Sequence, residues 1–428
     1  MLDLIKTLHQ ELIDRLALQG NIIKRDLDFI EIKDKISVAI GIRRTGKTCL
    51  MFHKINVLLS QGIPLSRILY IDFEDDRLLP LDQKKLAAIL DSFYSLYPEN
   101  HQQLCYLFLD EIQVIENWAL VIRRFYTTKN IRLYLSGSSA KLLSKEIATE
   151  LRGRSIPTEV FPFNFHEYIQ VKKIKAPCAP FSKKTKDILG EQLTAYLKEG
   201  GFPGVVGESA INQMLILQEY LEVVLFRDII ERFNVTNIAV IKYMILYLLK
   251  NNATNFTVNK FFNDLKSQGF TVGRSSVYDY LSYIEDAYLI FTVPLYSESI
   301  RKVQSNPKKI YAIDNGMVHA NTFNAIKNDG RSLENVVFLD LRRRGDKIYY
   351  YTTKEGYEVD FLSKTTEGKL HLYQVAYEMI DEKTKAREMR ALKAAEKELG
   401  VKGIMITKDN YPDWVLGGCH VDTKEHNG

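Results

Sequence analysis

The chain has 428 residues, which exceeds the length that one hydrophobic core usually supports, so we expect two or three domains. Hydrophobic residues account for 46% of the chain and charged residues for 26%, proportions that are typical of soluble globular proteins and allow a sizeable core. The formal net charge of +5 is small for this length, so it permits contact with nucleic acid without requiring it.

Cysteine usage and hydropathy exclude further classes of protein. Cys49, Cys105, Cys178 and Cys419 are scattered and form no C-x-x-C pair, which indicates neither a zinc site nor a disulfide framework and points to a reducing compartment. The N-terminal residues lack the apolar core of a signal peptide. The longest apolar run, Ala239–Leu249, is interrupted by a lysine and is too short to span a membrane. We therefore predict a cytoplasmic protein without membrane contact.

The N-terminal part of the chain combines helical and strand-like patterns. Residues 1–34 predict an amphipathic helix and a connector, because apolar residues recur at helical spacing. These residues are Leu4, Ile5, Leu8, Leu12 and Leu16. Short apolar runs then alternate with helical stretches, which predicts a parallel sheet in an α/β domain over residues 35–168. The strand-like runs are Ile36–Ile40, Ile68–Phe73, Tyr106–Leu109 and Ile131–Leu135. The segment Arg152–Phe165 loses the alternation, which indicates the end of this domain.

Residues 169–305 predict a helical region. It begins with a linker-like stretch, Val171–Lys186, and a sharp turn, Gly200–Gly204. Within it, Thr257–Leu289 has the pattern of a winged-helix unit, in which two helices are separated by a turn and followed by a strand. The predicted elements are Val258–Gln268, Gly269–Gly273, Arg274–Tyr288 and Leu289–Val293. The exposed face of the second helix is mixed to acidic, so DNA contact through this helix stays an open alternative.

Residues 306–428 predict a C-terminal α/β domain. Strand-like runs return here, and a charged helix, Asp381–Leu399, follows them with i,i+4 pairs of opposite charge. The runs are Ile310–Ile313, Lys347–Tyr351, Tyr357–Leu362 and Leu370–Val375. The basic run Arg342–Arg344 predicts a solvated helix end, with contact to phosphates as the sharper alternative.

The segment Gly41–Thr48 has the sequence G-I-R-R-T-G-K-T and fits the pattern G-x-x-x-x-G-K-[ST] in full. Its context also fits, because the strand Ile36–Ile40 precedes it and Cys49–Leu59 predicts a helix after it. Such a loop wraps phosphates with backbone N–H groups at a helix N-terminus. The pattern therefore predicts a nucleotide site, with ATP and Mg²⁺ as cofactors.

Each position in this loop has a predicted task. Gly41 and Gly46 let the backbone turn and approach the phosphates closely. Lys47 reaches the β- and γ-phosphates, and the hydroxyl of Thr48 ligates Mg²⁺. The remaining predicted contacts with the nucleotide are Arg43, Arg44, Thr45 and Cys49.

Polar residues follow two of the predicted strands downstream. Asp110 is the predicted Mg²⁺ ligand, directly or through water, and Glu111 is the predicted general base or water-positioning residue. Ser136 and Ser138 are equal candidates for contacting the γ-phosphate or the attacking water, with an ordinary turn as the alternative. Arg154 is the candidate arginine finger, which would act in cis or on a neighbouring subunit.

Together these motifs resemble the prokaryotic AAA-type ATPases that carry a C-terminal domain of unknown function. The resemblance rests on Gly41–Thr48, Leu109–Gln113, Leu135–Ser139, Leu151–Arg154 and Phe161–Glu167, followed by Gly200–Gly204, Tyr311–Gly316 and Arg331–Asn335. It covers nearly the whole chain, roughly residues 36–406. The resemblance implies an AAA-like P-loop core, then a helical section with a winged-helix unit, then a restriction-endonuclease-like α/β domain.

The C-terminal part resembles the core of PD-(D/E)XK nucleases, where one acidic residue on a helix, and an Asp and an E-x-K on two strands, hold Mg²⁺. Glu334 and Asp360 match this order. Gln374 stands in the place of the second carboxylate, and Ala376 stands in the place of the lysine. Because both charged groups are lost, we expect a nuclease-like fold with weak or no nuclease activity. Ordinary surface or capping acids are the alternative interpretation.

The sequence thus predicts a Mg²⁺-dependent ATPase that couples ATP hydrolysis to a rearrangement of its C-terminal domains, with DNA as a candidate partner. One alternative is a nucleotide-gated DNA-binding module with little turnover. Another is a degenerate PD-(D/E)XK nuclease. Self-association is compatible with the pattern, and no protein partner is identified by it.

Overall fold

The computed structural model of the chain describes residues 2–18, 23–137, 151, 153–175, 179–322, 329–378 and 382–417. Contacts divide the chain into two compact units, Met1–Val160 and Phe161–Gly428. None of the helices in the described ranges has the combination of length and hydrophobicity that a bilayer crossing requires.

The first unit is built from helices and a parallel sheet. Its elements in chain order are α1 (Leu2–Leu18), β1 (Ile36–Ile40), α2 (Lys47–Ser60), β2 (Ile68–Asp72), α3 (Gln83–Leu96), β3 (Cys105–Asp110), α4 (Trp118–Thr128), β4 (Ile131–Gly137) and β5 (Ser155–Glu159). The strands form a five-stranded sheet in the order β2-β3-β4-β1-β5, and every neighbouring pair is parallel. The predicted parallel α/β fold is therefore confirmed.

Burial of the inner strands explains why the sheet forms here. Every residue of β1 and of β3 is buried, as expected for inner strands of a parallel sheet covered by helices. Phe108 of β3 stacks on Tyr134 of β4, with the ring centroids 4.5 Å apart. Leu50 and Ile55 of α2 belong to the same core cluster as these rings. This core places the carboxyl ends of β3, β4 and β1 side by side.

The sequence does not predict β5, because Pro157 lies at its centre. Proline cannot donate a backbone hydrogen bond, so sheets tolerate it at an edge or a bulge. β5 stands at the end of the strand order, next to β1. Since the carbonyl of Arg154 accepts from β1 and the N–H of Val160 donates to it, the backbone of Pro157 faces the open side. The proline therefore removes no bond from the sheet.

The second unit begins with helices and a small antiparallel sheet. Its first elements are α5 (Phe165–Val171), α6 (Lys183–Glu199), α7 (Ala210–Val223), α8 (Ile238–Lys250), β6 (Thr254–Phe256), α9 (Val258–Ser267), α10 (Arg274–Asp286), β7 (Ile290–Val293), α11 (Ile300–Ser305) and β8 (Lys308–Ala312). After its last residue, α7 continues through a π-helical stretch, Val224–Ile230, and a last helical turn, Glu231–Phe233. The three strands pair antiparallel in the order β6-β8-β7. From α8 to β8, this is the element order of a winged-helix unit.

The remaining elements surround a mixed sheet. They are α12 (Asn315–Asn321), α13 (Asp329–Arg343), β9 (Lys347–Thr352), β10 (Glu358–Lys364), β11 (Leu370–Val375), α14 (Glu382–Leu399), β12 (Gly403–Ile406) and α15 (Tyr411–Leu416). The strand order is β12-β11-β10-β9; β10 is antiparallel to β9 and β11, whereas β11 and β12 are parallel. The parallel pair is joined by α14, as a parallel connection requires. Leu392 and Ala395 of α14 pack on Leu362 and Leu372 of this sheet.

The strand β8 lies at the junction between these two sheets. It pairs with β6 and β7, although it follows directly after the predicted boundary between residues 305 and 306. The boundary itself stays a prediction. The pairing makes Lys309 part of the winged-helix sheet.

Candidate active site

The loop between β1 and α2 has a backbone that depends on glycine. Gly41 has φ 147°, and a Cβ built on it would lie 2.3 Å from the carbonyl oxygen of Val160, so a side chain does not fit. Gly46 has φ 93° and is the left-handed residue that precedes α2. Only glycine adopts such backbone conformations without strain. The loop can therefore present its N–H groups to an anion at the N-terminus of α2.

Buried polar groups hold this loop in shape. Lys47 is buried, and its ammonium donates to the carbonyl oxygens of Gly41 at 3.0 Å and Ile42 at 3.1 Å. The hydroxyl of Thr45 also donates to Ile42 O, at 2.9 Å. Arg25 donates from Nη1 to the carbonyl oxygen of Thr45 at 2.8 Å. No motif marks Arg25 in the sequence, and the fold brings it to the loop from the connector after α1.

Asp110 is the centre of the polar network at the end of β3. Its side chain is buried, and its Oδ2 accepts from Thr48 Oγ1 at 2.7 Å and from the hydroxyl of Tyr70 at 3.0 Å. Its Oδ1 accepts from the hydroxyl of Ser136. Burial raises the pKa of Asp110, and the hydroxyl donors oppose this rise. Thr48 and Asp110 thus place hard oxygen atoms together, which is the ligand chemistry that Mg²⁺ prefers.

Glu111 follows Asp110 in a left-handed conformation with φ 52°. Its backbone N–H donates to Ser136 Oγ at 3.1 Å, and its carboxylate accepts from Nε2 of Gln113. Ser136 therefore contacts both residues of the acidic pair. Sequence patterns do not separate Ser136 from Ser138. The structure places Ser136 in this network, and Ser138 lies outside the described residues.

A second polar cluster lies in the other unit, beside a cavity of about 990 Å³. Its centre is Lys309 on β8, whose side chain is 4% exposed. The ammonium lies 3.1 Å from Glu334 Oε1, 2.9 Å from Glu358 Oε1 and 2.9 Å from Asp360 Oδ1. Gln374 donates from Nε2 to Asp360 Oδ2 at 2.9 Å. The predicted residues Glu334, Asp360 and Gln374 are therefore brought together.

Burial and charge act in opposite directions within this cluster. Burial lowers the pKa of Lys309, but the carboxylates of Asp360 and Glu334 outweigh it and raise that pKa well above its ordinary value. For Glu334 the effects are reversed: burial raises its pKa, and the ammonium of Lys309 opposes this rise. The lysine is therefore charged at neutral pH.

Comparison with known proteins matches three family domains along the chain. An AAA domain matches residues 33–169, a domain of unknown function (DUF8612) matches residues 190–327, and another (DUF4143) matches residues 329–420. A relative in Methanocaldococcus jannaschii, "Uncharacterized protein MJ1544", is 36% identical over 416 residues, covering 96% of this chain and 90% of the relative. The chain belongs to the family of AAA-type P-loop ATPases with C-terminal domains of unknown function.

Other proteins and solved structures to which this chain is similar are more distant. An uncharacterized protein of Haemophilus influenzae is 27% identical, covering 94% of this chain and 92% of the relative. The Walker-type ATPase PABY2304 of Pyrococcus abyssi has a TM-score of 0.40 and 15% identity, covering 73% of this chain and 94% of that one. ORC1 of Aeropyrum pernix, solved in complex with DNA, has a TM-score of 0.29 and 12% identity, covering 78% and 93%. Scores this low describe a distant likeness only.

The other predicted nucleotide contacts differ in their surroundings. Arg43 Nη1 lies 3.4 Å from Glu74 Oε1, whereas Arg44 is exposed on the loop. Cys49, in the first turn of α2, is half-buried, and burial raises the pKa of its thiol. A nucleotide role for these three side chains stays a prediction.

Arg154 lies far from the loop within the first unit. Its carbonyl oxygen accepts from the N–H of Ile36, and the next residue pairs with the first residue of β1. Arg154 is therefore at the amino-terminal edge of the sheet, whereas the P-loop follows the carboxyl-terminal edge. Five residues of β-strand span about 16 Å, so the predicted action of Arg154 in cis is inconsistent with the structure. Action on a neighbouring subunit stays a prediction.

The basic run Arg342–Arg344 is not simply solvated. Arg343 Nη1 forms an ion pair with Asp340 Oδ1 at 2.8 Å, and its side chain is 17% exposed. The guanidinium groups of Arg342 and Arg344 each lie 4.3 Å from an aromatic ring centroid, those of Phe291 and Trp414. The solvated helix end that the sequence predicts is therefore found at Arg344, which is exposed, but not at Arg343, whose side chain is largely withdrawn from solvent in its ion pair.

Proposed function

We propose that this ATPase binds ATP with Mg²⁺ at the P-loop and hydrolyses it. The observation that carries the proposal is the 2.7 Å contact between Thr48 Oγ1 and Asp110 Oδ2, at the end of a loop whose lysine, Lys47, is buried. Bound Mg²⁺ would supply positive charge that stabilises the phosphates during hydrolysis. Thr48 and Asp110 would hold Mg²⁺, and the ammonium of Lys47 would bind the phosphates.

Glu111 has the water-activating task in this scheme. Its backbone is fixed by Ser136, and its carboxylate accepts from the amide of Gln113. A carboxylate in this position accepts a proton from water or orients it for attack. Its neighbour Asp110 would hold the metal, so one acid would serve metal binding and the other would serve water activation.

The test is steady-state ATP hydrolysis and nucleotide binding for the wild type, Lys47→Ala and Glu111→Gln. Lys47→Ala is expected to lose both nucleotide affinity and turnover. Glu111→Gln is expected to keep affinity and to lose turnover by about 10²-fold or more. Lys35→Ala is the matched control, because this exposed lysine contacts Gly153 O at the opposite edge of the sheet. Binding without turnover in the wild type would instead favour a nucleotide-gated switch.

We further propose that DNA is the partner of the second unit, through the wing rather than through α10. The wing, the connection between β7 and β8, exposes two basic residues, Arg301 and Lys302, against one exposed acid, Glu298. Lys308, the first residue of β8, is also exposed and basic. The exposed face of α10 carries Arg274 and Asp279, which offset one another. Basic side chains bind the phosphate backbone of DNA and release its counterions. The wing, which is net basic, is therefore a better surface for DNA than the exposed face of α10.

Double-stranded DNA affinity measured over a series of salt concentrations tests this proposal. Replacing both Arg301 and Lys302 with alanine is expected to weaken binding and to lower the salt slope by about 0.9 for each phosphate that is no longer neutralised. Lys260 and Lys266, exposed on α9, provide the matched double-alanine control. DNA binding that is unaffected by the wing variant would contradict the assignment.

DNA stimulation of turnover separates the main proposal from its alternative. In a DNA-coupled ATPase, DNA raises the rate of hydrolysis in the wild type. In a nucleotide-gated DNA-binding module, ATP changes DNA affinity at fixed salt while turnover stays low. Glu111→Gln distinguishes the two, since it should retain ATP-dependent DNA affinity in either case but lose stimulated turnover only in the first.

A further inference from the structure

The nuclease-like core implies a divalent cation at Glu334, Asp360 and Gln374, and the contacts of these residues test that implication. A carboxylate can ligate Mg²⁺ only through lone pairs that are not already given to N–H donors.

Lys309 donates to the carboxylates of three acids on one side of the cluster. Its ammonium has three donors, and it lies within 3.1 Å of an oxygen of Glu334, Glu358 and Asp360. Such an ammonium is a compact point charge, which is the property that it shares with a metal ion. It reaches the acids from β8, a strand of the winged-helix sheet, and not from the strand on which nucleases of this class carry their lysine.

Gln374 donates hydrogen bonds to carboxylates on the other side of the same cluster. Its Nε2 donates to Asp360 Oδ2 at 2.9 Å and to Glu388 Oε2 at 2.7 Å. Asp360 Oδ2 also accepts from the N–H of Val375 at 3.0 Å. A glutamate at position 374 would place a third negative charge against Asp360 and Glu388. The amide of Gln374 therefore suits a site that holds no metal ion. A carboxylate at this position would suit a site that holds one.

We propose that Lys309 and Gln374 replace the divalent cation of the nuclease-like core, so that the cavity beside them binds no catalytic metal. Asp360 Oδ2 accepts from two N–H groups and its Oδ1 accepts from the ammonium of Lys309, and a second cation beside that buried ammonium would be repelled. The proposal is independent of the ATPase activity of the first unit. It also gives Lys309 a positioning task, since this one side chain ties β8 to α13 and β10.

Mn²⁺ titration of the nucleotide-free full chain tests the replacement. Lys309→Met removes the charge and keeps a similar volume, which leaves the acids without their cation. This variant is expected to bind one more Mn²⁺ per chain than the wild type, and Mn²⁺ is expected to raise its melting temperature. Adding Asp360→Asn to Lys309→Met is expected to abolish both gains. Lys309→Arg, which keeps the positive charge, is expected to gain no Mn²⁺ site.

A comparison without any change at Lys309 covers the case in which Lys309→Met does not fold. The wild type and Asp360→Asn are expected to bind the same amount of Mn²⁺, because the wild-type cluster holds none. Mn²⁺ binding in the wild type that Asp360→Asn removes would overturn the proposal. A folded Lys309→Met chain that gains no Mn²⁺ site would overturn it as well.

Discussion

The hydroxyl of Ser136 connects the two acids that the P-loop scheme requires. It donates to Asp110 and accepts from the N–H of Glu111. Ser136→Ala is expected to lower kcat by about 10-fold, the usual effect of losing a hydrogen bond to a charged group. The pKa of Asp110, already raised by burial, should rise further without this donor. The acid limb of the pH–rate profile is therefore expected to move to higher pH.

Ser37→Ala is the matched control for that prediction. Ser37 is also buried in the sheet, but its hydroxyl donates to the carbonyl oxygen of Ile30 at 2.9 Å, away from Asp110. Its pH–rate profile should coincide with that of the wild type. A purely structural effect of Ser136→Ala would lower activity without moving the acid limb.

Asp314 connects the start of α12 to the glycine-rich turn at Gly200. Its Oδ2 accepts from the N–H of Gly201 at 2.7 Å, and its Oδ1 accepts from the N–H of Met317 at 3.1 Å. Burial raises the pKa of Asp314 to about 6, against the effect of these donors. The folded chain thus holds a proton on Asp314 at pH values where the unfolded chain has released it.

This raised pKa predicts a specific dependence of stability on pH. Stability contributed by Asp314 is fully present below the ordinary pKa of an aspartate, about 4, and is lost as pH rises through about 6. The difference in unfolding free energy between the wild type and Asp314→Asn should therefore fall by up to about 3 kcal/mol between pH 4 and pH 7. Chemical denaturation of both chains at several pH values measures it, and a constant difference would contradict the prediction.

At the level of single residues, local motifs and long-range contacts differ in how far the sequence predicts them. The P-loop and Asp110 can be found because their spacing within a few residues reflects one phosphate-binding geometry. Lys309 could not be found, since it meets Asp360 across 51 positions of the chain and comes from another sheet. Ala376 at the expected lysine position therefore suggested that the positive charge is missing. The fold supplies this charge from Lys309 on β8.

The turn after α6 depends on close backbone approach. A Cβ on Gly201 would lie 2.2 Å from the carbonyl oxygen of Phe163, whose own N–H donates to Gly201 O at 2.7 Å. Gly201→Ala is expected to destabilise the chain by about 3 kcal/mol, because backbone atoms cannot move aside cheaply. Thermal or chemical unfolding measures the effect.

Gly190 provides the opposite case within α6. It lies inside this helix, and a Cβ there would meet nothing within 4 Å. Gly190→Ala is expected to stabilise the chain by about 0.5–1 kcal/mol, because alanine has the higher helix propensity. Equal effects of the two substitutions would show that the turn is not the constraint described.

Among the elements, continuous apolar runs are the ones that sequence patterns predict well. β1 has the predicted bounds, and β2, β3 and β4 differ from the predicted runs by one or two residues. Buried parallel strands must be apolar on both faces, so they stand out. β5 and β12 do not stand out in the sequence. β5 contains Pro157, and β12 is short and has residues that are only partly buried.

At the scale of the whole molecule, the proposed coupling requires nucleotide binding in the first unit to affect the second. We expect ATP and Mg²⁺, added to Glu111→Gln to hold the ATP state, to alter amide hydrogen exchange in α9 and α10. Lys47→Ala should show no such change, since it does not retain the nucleotide. Hydrogen-exchange mass spectrometry measures this. Changes confined to residues 33–169 would leave an ATPase without coupling.

The proline in β5 also has a consequence for how copies of this chain meet. An edge strand with free N–H groups is a template on which another chain can add a strand, and this is a route to aggregation. Pro157 is exposed and has no N–H on the outward side, so the hydrogen-bond pattern that an incoming strand needs is interrupted at its midpoint. The residue that hides β5 from sequence patterns thus makes this edge of the sheet a poor template for a strand from another molecule.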